Sequence, residues 1–388
     1  MLKGLILPGL IASALLTGCA GTLSQMNMPS SEVKQVAQNG RVLSVNELVT
    51  EYMQSKQVPG MVVAVIQHNG PPKFYCYGIT DAKNHYPITP DTLFALGSLS
   101  KGITAEVVTL MVNEGRLHWD DTLATLLPPG TPLSADAQNI TLLQLVTHTS
   151  GLPRQPMNLL SLEHLVSYLR DGENFYQDLD SDGVLNYLST FRAPLTHEPR
   201  YSNIGYAILG YVLKYNTGES IETLSEQQIF QPLGMKSSSF DPESLRSFPQ
   251  RALGHAGDQP KFIARGALTP DWEFSNNMVG AASLYSDARD LIEYARAHFS
   301  PTQNVTLNKV FTDVSVDYFP REKEAANIAW ITDTYGQQKI TYQVGYIGGY
   351  SSYIGFDKEN QNAVVVLQNS FNWSNYIGHA LLRHIMPE

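Results

Sequence analysis

The sequence has few cysteines and a deficit of positive charge. Two of its 388 residues are cysteine, and 26 lysines and arginines stand against 36 aspartates and glutamates, a formal net charge of -10 at pH 7. A chain that binds nucleic acid would need a basic face, so we expect no nucleic-acid partner. The 10 histidines are scattered without metal-ligand spacing, so the sequence predicts no metal site.

Motifs of two common enzyme classes are also missing. The chain contains neither Gly-x-Ser-x-Gly nor a phosphate loop, which excludes the α/β-hydrolase and P-loop classes. It has no internal repeat and no low-complexity segment. Hydrophobic residues make up 43% of the chain, enough for a large core, so we expect a globular protein.

Residues 1–18 are predicted to be a lipoprotein signal peptide. Lys3 precedes an apolar stretch from Leu5 to Leu16 that is shorter than the about 20 residues of a membrane span. The stretch ends Leu16-Thr17-Gly18-Cys19, which resembles the bacterial lipobox and implies a lipid on Cys19. Ala20 is not the aspartate typical of inner-membrane retention. The pattern predicts a membrane anchor on the periplasmic side of the cell envelope, in the outer membrane; ordinary cleavage a few residues later is the alternative.

The remaining chain divides into a tether and one domain. Residues 19–42 are small and polar without periodicity, as in a flexible tether, and residues 43–388 form the predicted domain. Cys76 lies in a strand-like run and is predicted to be a small buried apolar residue. With Cys19 lipidated, no disulfide can form within the chain.

Apolar patterns predict strands near both ends of the domain and helices between them. The predicted class is α/β (α+β): an antiparallel sheet formed by both chain ends and flanked by helices, with a mostly helical insertion over about 99–332. The predicted strands are Met61–Gln67, Lys73–Ile79, Ile340–Val344, Ser351–Phe356 and Ala363–Gln368, and the predicted terminal helices are Val45–Gln57 and Asn375–Ile385.

Ser98 and Lys101 form the first candidate for catalysis. They precede a helical pattern over Ile103–Val112, so Ser98 lies near a helix start. Residues three apart share a helix face, which brings the Lys101 amine within reach of the Ser98 hydroxyl. A serine needs a proton acceptor to become a nucleophile, and a lysine can serve only if burial or charge lowers its pKa. The pair alone is weak evidence, because Ser-x-x-Lys arises by chance.

Tyr201-Ser202-Asn203 precedes another helical pattern and is the second candidate. The Tyr201 hydroxyl could pass protons to a leaving group or a water, with a pKa lowered beside Lys101. Asn203 could hold Lys101 or a substrate carbonyl. An ordinary helix cap is the alternative.

A glycine-containing strand around Gly345 is the third candidate. A glycine in a strand lets a substrate approach the backbone closely. One strand amide, together with the Ser98 amide at a helix start, could then form an oxyanion hole. The alternative is a glycine-rich hairpin.

Together these motifs resemble the serine penicillin-recognising enzymes, in the branch of class C β-lactamases, D-alanyl-D-alanine peptidases and esterases. The resemblance extends from Val45 to the C-terminus. It implies a β-lactamase/transpeptidase-like fold, a small-molecule or peptide substrate, and no metal or other cofactor. Further stretches resemble flanking signatures of this branch: Phe94–Lys101, His148–Leu152, Pro232–Met235 and Leu284–Leu291.

The resemblance implies a role for each candidate residue. Ser98 would be the acylated nucleophile, and Lys101 its proton acceptor or electrostatic partner. Tyr201 would be the general acid and base, and Asn203 a hydrogen-bond partner of Lys101 and the substrate. The amides of Ser98 and Tyr346 would form the oxyanion hole.

One motif departs from the family. Where Lys-Thr-Gly or His-Thr-Gly is usual, this chain reads Gln343-Val344-Gly345, which places Gln343 and Gly345 among the expected substrate contacts. Losing a charge-assisted hydrogen bond to a carboxylate costs about 1.5–3 kcal/mol, or roughly ten- to a hundredfold in affinity. Arg154 or Arg200 could supply the missing cation. Efficient β-lactamase activity is therefore disfavoured.

The sequence thus predicts an exported serine hydrolase that forms an acyl-enzyme on Ser98. Esterase, D-amino-acid peptidase and weak β-lactamase activities stay open. The alternative is an envelope protein that binds penicillin or peptidoglycan without catalysis, or that traps the acyl group. The segment Asp178–Gly183 resembles the start of a calcium loop, but Ser189 stands where the bidentate glutamate belongs, so an acidic solvated turn is the favoured interpretation.

Overall fold

The computed structural model describes residues 44–155, 159–176, 181–195, 198–274, 278–321, 324–372 and 376–385. The predicted signal peptide, the tether and Cys19 lie outside these ranges. Within them, no helix is both long enough and apolar enough to cross a membrane.

The ten strands of the described ranges form one large and one small sheet, and all of their pairings are antiparallel. The large sheet has eight strands in the order β2-β1-β10-β9-β8-β7-β6-β5, and β3 pairs with β4. The strands are β1 Gly60–Ile66, β2 Lys73–Gly78, β3 Phe94–Ala95, β4 Tyr285–Ser286, β5 Phe319–Pro320, β6 Glu324–Ala326, β7 Ile331–Tyr335, β8 Gln338–Ile347, β9 Tyr350–Asp357 and β10 Asn362–Gln368.

Helices pack on the large sheet, and most of those in the described ranges lie between β2 and β5 in the chain. The α-helices are α1 Val45–Lys56, α2 Ser100–Asn113, α3 Leu123–Leu126, α4 Leu142–Val146, α5 Leu159–Asp171, α6 Ser181–Thr190, α7 Asn203–Thr217, α8 Ile221–Ser225, α9 Gln231–Leu233, α10 Val279–Ala282, α11 Ala288–Ala297, α12 Val305–Val314 and α13 Tyr376–Ile385. Single turns of 3₁₀ helix occur at Gly97–Leu99, Ala137–Asn139, Pro242–Ser244 and Phe248–Gln250, and a π-helical turn at Glu226–Phe230.

Both chain ends meet in the middle of the large sheet, as the sequence predicts. β1 pairs with β10 from Met61 opposite Gln368 to Ile66 opposite Ala363. One face of the sheet packs against α1 and α13, and the other packs against α11. The helix α1 begins at a capping box: Ser44 Oγ accepts a hydrogen bond from the Glu47 amide, and the Glu47 carboxylate accepts one from the Ser44 amide.

The sheet also uses a part of the chain that was predicted to belong to the helical insertion. β5, β6 and the start of β7 fall before residue 332 and continue the sheet beyond β8. They have two, three and five residues, too few to show a clear alternation of apolar and polar side chains. The helical insertion therefore ends before β5, at a lower residue number than the predicted 332.

The prediction that Cys76 is buried is wrong. Cys76 is exposed because β2 is the edge strand of the large sheet, with β1 as its neighbour among the described strands. Partial burial of the thiol raises its pKa, so the thiol is a weak nucleophile.

Candidate active site

Ser98 and Lys101 lie at the junction between the sheet and the helical insertion. Ser98 is in the 3₁₀ turn that leads into α2, and Lys101 is in the first turn of that helix. The Lys101 ammonium or amine nitrogen, Nζ, lies 3.1 Å from Ser98 Oγ. The contact expected from their spacing is therefore formed.

A second hydrogen bond fixes the Lys101 side chain. Its Nζ donates to the carbonyl oxygen of Ala281 in α10 at 2.7 Å. This short helix packs closely on α2 because Gly280 has no side chain; a Cβ there would lie 2.9 Å from Thr104 Oγ1. Thr104 in turn donates to the Gly280 carbonyl at 2.6 Å. The contact between Lys101 and the Ala281 carbonyl was not predicted, because every residue type has a backbone carbonyl and the sequence does not show which one is used.

The surroundings of Lys101 favour its neutral form. The side chain is buried, and burial lowers its pKa well below the usual value. The positive charge of Arg154 lowers the pKa further. A neutral amine has a free lone pair, so Lys101 has the property that a proton acceptor for Ser98 needs.

Tyr201 lies against Lys101 but has the opposite pKa shift from the predicted one. Lys101 Nζ is 5.1 Å from the centre of the Tyr201 ring. Burial raises the pKa of Tyr201 to about 12, although Arg154 and the nearby Ser98 hydroxyl partly oppose this. The buried hydroxyl makes no well-formed hydrogen bond within the described ranges. Tyr201 is therefore protonated at neutral pH and can donate a proton.

The loop after α4 holds the segment that carries Tyr201. The His148 carbonyl accepts a hydrogen bond from the Arg200 amide at 2.7 Å, and His148 Nδ1 accepts one from the Ser202 amide at 3.1 Å. The His148 ring also packs on the Tyr201 ring, with centroids 4.5 Å apart. Burial, with Lys101 and Arg154 nearby, lowers the pKa of His148 well below its usual value, which keeps Nδ1 available as an acceptor.

Asn203 does not make the hydrogen bond to Lys101 that was predicted for it. It begins α7, with Ser202 as the N-cap, and its Nδ2 donates to the Tyr176 hydroxyl at 2.9 Å. No hydrogen bond joins Asn203 to Lys101 in the described part of the chain. Tyr176 was not predicted, because it belongs to no motif and reaches the site from a distant loop.

Gly345 was predicted to let a substrate approach the strand, but its close neighbours are other parts of this chain. A Cβ at this position would overlap the carbonyl oxygen of Leu96 and the hydroxyl of Ser352. Ser352 Oγ donates to the same Leu96 carbonyl at 2.8 Å. The glycine thus admits the chain's own backbone just before Ser98, and β8 lies directly against the turn that carries Ser98.

The strand register orients the Tyr346 amide toward that turn. A two-residue turn joins β8 to β9, so its closing pair, Ile347 and Tyr350, is the hydrogen-bonded one. Hydrogen-bonded and non-bonded pairs alternate along an antiparallel ladder. Tyr346 is therefore in a non-bonded pair, with its amide directed away from β9. Its carbonyl lies beside Gly97, where a Cβ would be 3.0 Å away.

Gln343, which was predicted to contact the substrate, is buried beside α2. It is 5% exposed, and a Cβ at Gly102 would lie 2.6 Å from its Nε2. The side chain therefore packs between β8 and α2. Its Nε2 has no hydrogen-bond partner among the described residues. Successive residues of a strand face opposite sides, so Gln343 and Tyr346 lie on different faces of β8.

A cleft opens beside Tyr346 and Arg154. Arg154 is the one charged residue among its described lining residues, and the Arg154 guanidinium lies 5.0 Å from the centre of the Tyr201 ring. Arg200, the other candidate cation, is not among them. Six aromatic side chains line the cleft: Tyr168, Phe175, Tyr176, Trp272, Tyr346 and Phe371.

The candidate calcium loop is not formed where the chain is described. Asp178 lies outside the described ranges, whereas Gly183 and Ser189 are both within the helix α6. The described residues contain no group of three or more histidine, cysteine, aspartate or glutamate side chains placed to hold a metal ion.

Comparison with known proteins gives one family and a consistent fold. The model of the family described as beta-lactamase matches residues 45–384. Unguisins hydrolase ungD' of Aspergillus campestris is 27% identical over 367 residues, which cover 88% of this chain and 64% of that protein. The chain thus spans just under two thirds of the fungal relative's length.

Two further proteins extend the comparison. The D-alanyl-D-alanine-carboxypeptidase/endopeptidase AmpH of Escherichia coli K12 is 26% identical over 333 residues, 80% of each chain. The crystal structure of a class C beta-lactamase from Rhodobacter sphaeroides superposes with a TM-score of 0.74 at 22% identity, covering 88% of this chain and 97% of the other. At this identity the structural likeness shows the fold, which is the predicted one.

Proposed function

The chain belongs to the beta-lactamase family, and from the geometry at Ser98 we propose that it is a serine hydrolase that cleaves an ester or amide through an acyl-enzyme. The observation that carries this proposal is the 3.1 Å contact between Ser98 Oγ and the Lys101 amine. Burial and Arg154 lower the pKa of that amine, so it can accept the serine proton.

Acylation begins when Ser98 Oγ attacks the substrate carbonyl carbon and its proton passes to Lys101 Nζ. The carbonyl oxygen gains negative charge, which the amides of Ser98 and Tyr346 would stabilise. Tyr201 then donates its proton to the leaving oxygen or nitrogen as the bond to carbon breaks, and the proton on Lys101 replaces it. The products of this step are the Ser98 ester and the free alcohol or amine.

Deacylation repeats the chemistry with water as the nucleophile. Water loses a proton to the base and attacks the Ser98 ester carbon, and Ser98 leaves with a proton returned to its oxygen. Lys101 is the proton acceptor in both steps, since burial leaves Tyr201 protonated. The roles of Lys101 and Tyr201, which the sequence left open, are thereby assigned in this proposal.

The substrate class that we propose is an ester or an amide, including D-amino-acid peptides, with β-lactams as weak substrates. Gln343 is not among the described residues that line the cleft, and Arg154 is the charged residue among them. Binding of a substrate carboxylate would therefore depend on Arg154. The name of the AmpH relative supports a peptidase activity, and that of the fungal relative supports a hydrolase outside β-lactam chemistry.

Mass spectrometry of the intact protein tests the acyl-enzyme. We expect brief exposure to p-nitrophenyl acetate to add the mass of one acetyl group to the protein, while p-nitrophenol release continues. A stable adduct without continuing release would instead favour a protein that traps the acyl group. No adduct and no release, with p-nitrophenyl acetate and with a penicillin, would contradict the mechanism for these substrates.

The pH dependence of catalysis tests the influence of Arg154. We expect Arg154→Gln to move the acid limb of the kcat/KM profile to higher pH. Arg154 lowers the pKa of Lys101, so its removal raises that pKa and a higher pH is needed to free the amine. Arg154→Lys keeps the charge and should leave the limb near its wild-type position. A change in rate without a shift of the limb would contradict the assignment of Lys101 as base.

We also propose that the chain is exported and anchored in the outer membrane through lipid on Cys19. The pattern Leu16-Thr17-Gly18-Cys19 supports this. In a Gram-negative host, the full-length chain should sediment with the outer membrane, and Cys19→Ser should move most of it to the soluble periplasmic fraction. Equal membrane association of both forms would overturn the anchor.

A further inference from the structure

A buried acidic and a buried basic side chain face each other about one turn beyond Lys101 in α2. The side chains of Glu106 in α2 and of His298, which directly follows α11, are fully buried, and His298 Nε2 lies 3.1 Å from Glu106 Oε1. Tyr294 in α11 donates its hydroxyl hydrogen to the same oxygen at 2.6 Å. A buried ion pair is seldom more stabilising than apolar side chains of similar volume, which indicates a role other than stability for these three residues, the Glu106 network.

The geometry assigns the protons of the His298 ring. Nδ1 lies 2.9 Å from the Tyr294 carbonyl oxygen, and Nε2 faces the Glu106 carboxylate. A carbonyl oxygen can only accept, so Nδ1 carries a hydrogen, and a second proton lies between Nε2 and the carboxylate because their lone pairs would otherwise repel. Three aromatic rings, with centroids 4.6, 4.7 and 5.1 Å from that of His298, pack around it: Phe311, Trp330 and Phe356. The pair is thus a hydrogen-bonded unit shielded from water.

The Glu106 network reaches the first turn of α2, where Lys101 lies. Gly102 leaves room there, since a Cβ would lie 3.1 Å from the Tyr294 hydroxyl oxygen and 2.6 Å from Gln343 Nε2. Both polar groups therefore lie over the backbone of the residue that follows Lys101. Gln343 belongs to β8, the strand whose Tyr346 amide we assign to the oxyanion hole. The elements α2, α11 and β8 thus meet at one glycine.

The helix α2 is also held from a different face. Lys101 and Thr104 donate to carbonyl oxygens of α10, and residues three apart share one face of a helix. Gly102 and Glu106 are four apart and share another face, which is turned toward α11 and β8. A shift of α2 on this second face would move Ser98 and Lys101 together, away from their alignment with β8.

We propose that Glu106, Tyr294 and His298 are positioning residues, which hold α2 against β8 so that Ser98 and Lys101 stay aligned with the Tyr346 amide. The inference rests on the proposed hydrolase function. A displacement of about 1 Å can lower a reaction rate by about 100-fold. Lys101 accepts a proton in both proposed steps, so misalignment lowers kcat whichever step limits the rate, whereas it has little effect on the binding of a small ester.

Glu106→Leu tests the proposal by removing the acceptor that Tyr294 and His298 share. We expect kcat for p-nitrophenyl acetate to fall by about 10- to 100-fold, with KM within about threefold of the wild-type value. Tyr294→Phe removes one hydroxyl and keeps the ring in the core, so it covers the case in which Glu106→Leu does not fold. Its kcat should fall by about 3- to 10-fold, as for one lost hydrogen bond.

Thr109→Val is the matched control. Thr109 is also buried in α2, but its hydroxyl donates to the Ala105 carbonyl at 2.8 Å within the same helix. This bond does not join α2 to another element. We expect kcat of Thr109→Val to stay within about threefold of wild type, because the site is independent of the Glu106 network.

A double variant separates positioning from stability. Glu106→Leu alone leaves the buried His298 ring without its acceptor, which is strongly destabilising, whereas replacing both members of a buried pair by apolar residues is often neutral. Glu106→Leu combined with His298→Leu should therefore unfold at a higher denaturant concentration than Glu106→Leu. Its kcat should remain as low, because the polar contacts between α11 and α2 are still missing. Recovery of kcat together with stability would overturn the inference.

The remaining outcomes separate this inference from the function on which it rests. Wild-type kcat in the folded Tyr294→Phe and Glu106→Leu variants would overturn the positioning role and leave the hydrolase intact. A fall in kcat of the same size in Thr109→Val would also overturn it. Absence of p-nitrophenyl acetate turnover in the wild type would instead refute the hydrolase function.

Discussion

Ser98→Ala is expected to lower the turnover of p-nitrophenyl acetate by about 10⁶-fold, the loss seen when a serine hydrolase loses its nucleophile. The variant has no oxygen to bond to the substrate carbonyl carbon, so the acyl adduct should also disappear from the mass spectrum. Catalysis above the rate in water would then come from the oxyanion hole and substrate binding alone. Steady-state kinetics and intact-protein mass spectrometry measure the two effects on the same samples.

Ser100→Ala is an informative control for this variant. Ser100 is in the same turn, where its hydroxyl donates to the Gly97 carbonyl at 2.6 Å and accepts from the Leu284 amide at 3.0 Å. Its removal should lower the free energy of unfolding by about 1–3 kcal/mol while acyl-enzyme still forms. If Ser98→Ala kept wild-type turnover, another nucleophile would have to be sought.

Lys101→Met is expected to lower kcat/KM by about 10²- to 10⁴-fold, the range for loss of a general base. Methionine fills much of the same volume without a proton acceptor. The acyl adduct should still form, but slowly, since Ser98 is intact. An activity close to that of the wild type would show that another group accepts the serine proton.

The same variant should change how stability depends on pH. The pKa of Lys101 is lowered in the folded state, so between that pKa and the unfolded value the unfolded chain binds more protons. The free energy of unfolding of the wild type therefore rises with pH through this window. Lys101→Met removes this contribution. The free energy of unfolding of the wild type minus that of the variant should therefore increase as pH rises. Denaturant titrations of both proteins at several pH values measure this difference. A difference in the free energy of unfolding that does not change with pH would contradict the prediction.

Local geometry explains why the contact between Ser98 and Lys101 could be predicted. Helical spacing alone brings Lys101 to Ser98, and the structure has this contact at 3.1 Å. The antiparallel sheet of both chain ends was predictable for the same reason, since β1, β9 and β10 each have enough residues to show their pattern.

Contacts between distant elements explain what could not be predicted. The side of β8 that Gln343 faces depends on where α2 packs, and the neighbour that Gly345 admits is a carbonyl at Leu96. Tyr201 is likewise buried by residues from several elements that pack around it, and this burial raises its pKa. The exposure of Cys76 follows from the place of β2 at the sheet edge. None of these is encoded within a local window of sequence.

The central pairing of β1 with β10 has a consequence for biosynthesis. The ribosome releases β1 and the Ser98 turn early. The strand β10, which pairs with β1 in the middle of the sheet, is complete only when residues 362–368 have emerged. Such high contact order slows folding. Until β10 pairs with it, β1 is paired with β2 alone, and its other edge is open to aggregation. A chain truncated before residue 362 should therefore be both inactive and insoluble, because the last strands to be made complete the middle of the sheet.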